Sequence, residues 1–269
     1  MSSSWLQAFG ETLKVPGLLV EVYKDVAQPG VQQVGKALQT VLGLGNTVLW
    51  PIALANERSR MALEENLRKY QRKLASTSPD DIVEVAPEVG VPLAEKLSYV
   101  TDVHLSELYV SLLAAASTSQ TVELVHPSFV NVLNNMAPDE ALLLQGFGGP
   151  EFVIPSISPC WRSVTENDTI YFSRTHALIS NELTSKLRFK NSVPAYLANL
   201  EGLGLLEIDP EGDLSAPVNA YDELNATWKV RFEQEGLHPD RTLRLRQGNI
   251  SSTSHGEQFW RACHAVGSS

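Results

Sequence analysis

Between Glu57 and Leu74 the apolar residues Leu63, Leu67, Tyr70 and Leu74 recur three and four positions apart, and Arg58, Arg60, Glu64, Arg68, Lys69, Arg72 and Lys73 surround them. That spacing follows the α-helical turn and predicts an amphipathic helix with a solvated, mostly basic face. Upstream, a helix is expected around residues 17–27, ended by Pro29-Gly30. Beyond it Val31, Val34, Leu38, Val41, Leu42, Gly45, Leu49 and Ile52 continue the helical period. Downstream, Leu105, Leu108 and Leu112 mark a helix after Asp102, and Phe129, Val132, Leu133 and Met136 mark another. Pro138 with Asp139 and Glu140 reads as the first turn of a third. Acids at helix starts are what the helix dipole favours.

After residue 150 the pattern changes. Residues 152–157 and 169–172 are short runs rich in β-branched and aromatic side chains, which predict strands. Helices are expected again at residues 179–187 and 193–203. The second leads through Gly202 into an apolar strand ending at Ile208 and a turn at residues 209–213. After a long excursion, Leu243 and Leu245 alternate with Arg244 and Arg246 as a further strand. The spacing Ser254-His-Gly-Glu257 is that of a capping box opening a last helix, with Phe259, Cys263 and Val266 on one face. Gly146-Phe-Gly-Gly149 reads as a helix C-terminus and turn. The order helix, strand, excursion, strand, helix resembles a winged-helix module, with Trp228, Phe232, Phe259 and Trp260 expected in its core.

Charge divides the chain. Lys and Arg exceed Asp and Glu by 3 over residues 1–78, fall 10 short over residues 79–160 and 3 short over residues 161–269, for a formal net charge of −10. Three regions are therefore expected: a helical region with a Gly-rich uncharged segment (1–78), an acidic helical bundle (79–149) and a winged-helix-like domain (150–269). The fold class is mainly α with α+β character: an N-terminal helical hairpin and helical bundle, then a winged-helix-like α/β C-terminal region. The acidic balance disfavours a general nucleic-acid binder, which needs excess positive charge against phosphate.

The sequence offers little chemistry. Neither a dinucleotide Gly-x-Gly-x-x-Gly nor a phosphate loop with Gly-Lys-Ser/Thr occurs, so no cofactor is expected. The six histidines, at 104, 126, 176, 238, 255 and 264, show no metal-ligand spacing. Cys160 and Cys263, the two cysteines, are expected as buried small apolar residues in a reducing cytoplasm. No secretory signal is read near the start, and no enzyme is expected.

Residues 37–56 carry no charge. Twenty residues is the length a membrane-spanning helix needs. Gln39, Thr40, Asn46 and Thr47 make the stretch polar by that standard, while Gly43, Gly45 and Pro51 weaken a free helix. Close packing against a neighbouring helix, with Trp50-Pro51 as a corner, is the main rival. A third course has the segment packed first and inserted later. Lys36 before it, and Arg58, Arg60, Arg68, Lys69, Arg72 and Lys73 after it, suit an anionic lipid surface. Gly35, Gly43, Gly45, Trp50 and Pro51 are accordingly candidate membrane or partner contacts. Lys186, Arg188 and Lys190, just before the helix at Val193, are candidate nucleic-acid contacts. Trp5, Leu6 and Phe9 would form a small apolar face on an N-terminal helix.

The run from Val22 to Leu42, with Pro29-Gly30-Val31, then Leu49-Trp50-Pro51-Ile52, Glu57-Arg58 onward to Tyr70, and the Leu197–Leu205 run, resemble the abortive-infection alpha (Abi-alpha) family of bacterial proteins. The resemblance is more specific over residues 22–75 than after 150. It implies a bacterial antiphage role in which an infected cell stops growing or dies before phage release, and it transfers no catalytic residue. The leading expectation is a non-enzymatic defence protein that binds an unidentified phage or host protein, cytoplasmic or peripheral to the inner membrane. The alternatives are a membrane-active effector inserting segment 30–56 and a winged-helix DNA-binding regulator. Oligomeric state is not legible in the sequence.

Overall fold

The computed structural model describes residues 57–163, 170–172, 178–210, 218–234 and 241–266. They form a mainly helical chain with a four-stranded antiparallel sheet. The described residues fall into two compact units, those of 57–135 with 258–266 and those of 136–257.

In the first unit, helix α1 (Glu57–Leu74) buries Leu63, Leu67, Tyr70 and Leu74 completely, as the stripe predicts. Its basic face is less solvated than expected. The side chains of Lys69 and Lys73 are only 14% and 16% exposed. Lys69 reaches Ser106 at 2.8 Å and Lys73 reaches Glu107 at 2.6 Å, so both turn toward helix α3 (Val103–Ala116), where their stems pack while their ammonium groups find oxygen. From Ser106 on, α3 is buried nearly all round, as an apolar run such as Leu108–Ala116 requires. Asp102 caps it, its carboxylate accepting the N–H groups of His104 and Leu105 at 3.0 Å.

Helix α2 (Pro87–Leu97) has no counterpart in the apolar periodicity read above, because Pro92 sits inside it. Proline removes an intrahelical donor and usually ends a helix. At the C-terminal end of α2, Asn66, buried on α1, donates to the carbonyls of Leu97 at 2.9 Å and Val100 at 3.0 Å, which the helix end leaves without intrahelical donors. Helix α4 (Ser128–Asn134) brings Phe129 edge-on to Phe259, ring centres 5.4 Å apart, and both rings are fully buried.

In the second unit, helix α5 (Pro138–Gly146) ends at Gly148, whose φ of +88° is the left-handed conformation that closes helices. Strand β1 (Val153–Ser163) runs six residues past the predicted stop at Ile157. Pro155 lies inside the predicted run and Pro159 just past its end, although proline is ordinarily excluded from paired strands. Both share the phase of Ile157, which exchanges its hydrogen bonds with Leu178 on the side away from β4 (Arg241–Ser252). The missing N–H groups therefore cost the β1–β4 ladder nothing. The sheet order is β2 (Ile170–Phe172), β1, β4, β3 (Leu206–Asp209), all antiparallel.

The excursion before β4 contains helix α8 (Val218–Gln234). Its residues Tyr221 and Leu224 are buried with Ile157 and Leu178, and Trp228, Phe232 and Leu245 pack against them. Tyr221 also donates to the Gly248 carbonyl at 2.9 Å. Gly248 has no room for a side chain, because a Cβ there would lie 2.8 Å from the Pro210 backbone. The last helix, α9 (Ser254–His264), is capped one residue earlier than expected: the Thr253 hydroxyl accepts the Gly256 N–H at 2.9 Å. Phe259 is buried as expected, whereas Trp260 is half-buried, stacked on His264 with ring centres 4.1 Å apart.

Candidate partner-binding surface

Between strand and sheet core, a short helix α6 (Asn181–Thr184) leads to helix α7 (Val193–Gly202). Pro194 lies in the first turn of α7, and the helix closes in a Schellman motif. Gly204 sits at φ +73°, its N–H bonded to the Glu201 carbonyl at 2.8 Å and the Leu205 N–H to the Leu200 carbonyl at 3.0 Å. The segment joining α6 to α7 holds Lys186, Arg188 and Lys190, all exposed. None of the three has an ion-pair partner among the described residues. Phe189 stands among them, 55% exposed, with the Arg188 guanidinium 5.0 Å from its ring centre.

What fixes this segment is a pair of buried acids on α5. Asp139 is 7% exposed and accepts the backbone N–H groups of Arg188 at 3.0 Å and Phe189 at 2.8 Å, and the Tyr196 hydroxyl at 3.1 Å. Glu140, 3% exposed, accepts the Ala137 N–H at 2.7 Å and both carboxylate oxygens take the Asn199 amide at 2.9 and 3.0 Å. Ala137 has no side-chain acceptor, so only half of a capping box exists here. The two acids part in their proton affinity. Burial pushes the Asp139 carboxyl up, but the Arg188 and Phe189 N–H groups, the Tyr196 hydroxyl and the Arg188 charge outweigh it, and the group lies below the usual range. Burial dominates at Glu140 and holds it above that range, against the Ala137 and Asn199 hydrogen bonds.

Beside the segment opens a cleft of about 530 Å³. Trp228 and Phe232 form one side, ring centres 6.1 Å apart, and Trp161 meets Phe232 edge-on at 6.0 Å. Asn181, Thr184, Lys190 and Asn191 supply its polar groups, and no acid is among the described residues that line it.

Of the candidate contacts read from the sequence, Lys186, Arg188 and Lys190 fall together on this surface. Gly35, Gly43, Gly45, Trp50 and Pro51 lie outside the described residues, as do Trp5, Leu6, Phe9 and the segment they would belong to. Asp139 and Glu140 carry more than the dipole role read for them, and Phe189 and the cleft have no counterpart in that reading. Among the described residues no group of three or more His, Cys, Asp or Glu side chains could hold a metal ion, and no helix is long and apolar enough to cross a membrane. Cys160 and Cys263 are both buried.

The arrangement defines a helical α+β protein whose second unit presents a surface with exposed basic and aromatic side chains. The chain belongs to the abortive infection alpha family, which matches residues 59–263, more than half of its length. The matched span includes the Leu197–Leu205 run and leaves out residues 22–58. Membership suggests an abortive-infection-type defence role. No curated protein and no solved structure matches the chain significantly.

Proposed function

We propose that this is a non-enzymatic antiphage protein that acts by binding a phage or host protein through the surface around Lys186, Arg188, Phe189 and Lys190. The observation that carries this is the exposed Phe189 held by a buried carboxylate. A half-exposed aromatic ring gives up apolar area to water, and here its backbone is fixed by Asp139, so binding would order little that is not already ordered. Aromatic and Arg side chains are also the residues that most often anchor protein interfaces. The test is plating of a phage panel on bacteria producing the chain or its Lys186→Glu/Lys190→Glu variant at equal levels. Plaque numbers should fall with the parent chain and recover with the variant; equal protection by both would remove this surface from the function.

DNA binding is a second course, favoured by one observation. The winged-helix resemblance read from helix, strand, excursion, strand and helix supports it: α7, β3, β4 and α9 follow in that order, with α8 in the excursion, and the three cations precede α7. Such folds serve both nucleic-acid and protein recognition, so the order alone does not choose. Helix α7 itself carries Glu201 as its one charge, and the chain is net −10. A salt-sensitive shift of random duplex DNA, lost in the same double variant, would favour DNA over protein.

A further inference from the structure

We infer that the cleft beside Lys190 takes an acidic, partly apolar peptide segment of the partner; this rests on the partner-binding function proposed above and specifies what is bound. Much of the described lining is apolar: Leu178, Ile179 and Val193 are buried, and Trp228 and Phe232 are half-buried. Apolar side chains of a bound segment would leave water there. Asn181 and Asn191 are exposed at the cleft, and neither side chain has a hydrogen-bond partner among the described residues. A carboxamide both donates and accepts, as a peptide bond does, so two of them suit a bound main chain.

Charge sets the sign of the partner. Lys190 lines the cleft, Lys186 and Arg188 flank it in the chain, and among the described residues the lining includes no carboxylate. The exposed acid nearest in sequence is Glu182, in the first turn of α6, and it is not part of the lining. On a chain of net charge −10, three exposed cations close together, of which Arg188 also feels the buried Asp139 carboxylate, are a local exception that a partner's acids would complement. The volume of about 530 Å³ admits a few side chains and excludes a folded domain. A duplex would instead need phosphate contacts spread along its length, where the overall negative charge opposes it.

The experiment is selection of a random dodecapeptide library, displayed on yeast, against the full chain, followed by fluorescence anisotropy of the enriched peptides with the parent and with Lys186→Glu/Lys190→Glu. Enriched sequences should be net acidic with apolar residues between the acids, and the double variant should bind them at least tenfold more weakly. Replacing Glu and Asp by Gln and Asn in the peptide should weaken binding to the parent and not to the variant. No enrichment, enrichment of neutral or basic sequences, or equal binding by the variant overturns the inference. Labelled single-stranded and duplex DNA are run alongside; tight DNA binding that the variant loses, without acidic peptide binding, also overturns it. Because this readout is independent of phage plating, the surface can protect cells while the peptide assignment fails, and the two failures are told apart.

Discussion

The Asp139 carboxylate accepts the Phe189 main-chain N–H at 2.8 Å, so a buried acid on one helix fixes an exposed aromatic ring fifty residues further along the chain. The same carboxylate takes the Arg188 N–H and the Tyr196 hydroxyl, which makes it the common acceptor of three donors. Asp139→Asn keeps the shape and loses the charge, and it turns an amide donor toward groups that are themselves donors. The expected loss is about 2 kcal/mol for the second unit, the scale of hydrogen bonds to a charged group. Hydrogen exchange checks it directly: the Arg188 and Phe189 amides should lose protection, with amides of the first unit unchanged. Unaltered protection at both amides would mean that Asp139 does not hold the segment.

The paired acids also predict a pH signature. Asp139 titrates below its unfolded value, so its stabilisation is present above about pH 3.9 and is lost as the pH falls through the lower folded value. Glu140 titrates above its unfolded value of about 4.3, so its contribution is full below that pH and is lost as the pH rises through the folded value. Urea midpoints of the parent, Asp139→Asn and Glu140→Gln, taken from about pH 7 to about pH 3, separate the two. The parent's advantage over Asp139→Asn should shrink below about pH 3.9, whereas relative to Glu140→Gln the parent should gain as the pH falls toward about 4.3. Parallel curves for all three proteins would contradict both assignments.

How far such features could be read from sequence depended on the distance between partners. The Leu63, Leu67, Tyr70 and Leu74 stripe needs only local spacing, and α1 has the predicted bounds with all four residues buried. Prolines obscured helix α2 and the far half of β1: Pro92 lies inside the helix, and Pro159, whose missing N–H would point away from β4, follows the predicted stop. Helix α8 carried its signal in Tyr221, Leu224, Trp228 and Phe232, spaced three and four apart, but the surrounding polar residues made the stretch read as an excursion. At the site, the three cations were legible as a cluster. Asp139 and Glu140 were not legible as its support, because their acceptors and donors meet across 49 to 59 residues, and an acid in a first helical turn already has a local role.

Both thiols should be silent in the folded protein. Burial pushes the Cys263 thiol well up, against a smaller pull from the Lys73 charge, and Cys160 is buried in β1. The thiolate is the reactive species, so neither position has the electropositive, accessible setting of a nucleophile. Titration with a chromogenic disulfide reagent at neutral pH is expected to show no fast-reacting thiol, and both should react once the chain is unfolded in urea. Rapid modification of Cys160 or Cys263 in the native protein would reopen the case for cysteine chemistry.

Two helical glycines of the second unit are predicted to respond to alanine with opposite sign. At Gly202, near the end of α7, no heavy atom lies within 4 Å of where a Cβ would stand. Gly202→Ala should therefore follow helix propensity alone and stabilise by about 0.5–1 kcal/mol. At Gly256, in the first turn of α9, the same Cβ would press on the Leu205 carbonyl oxygen and lie 2.8 Å from its carbon. That obstacle is backbone, tied in turn by the Thr253 N–H at 3.3 Å to the Leu205 carbonyl, so the helix start has to move and the Thr253 cap on the Gly256 N–H moves with it. Gly256→Ala should lose about 1–3 kcal/mol, the range for forcing extra atoms into a packed site. Urea titration of the two variants beside the parent decides the matter, and a stabilised Gly256→Ala would show that the close approach of α9 to Leu205 is wrong.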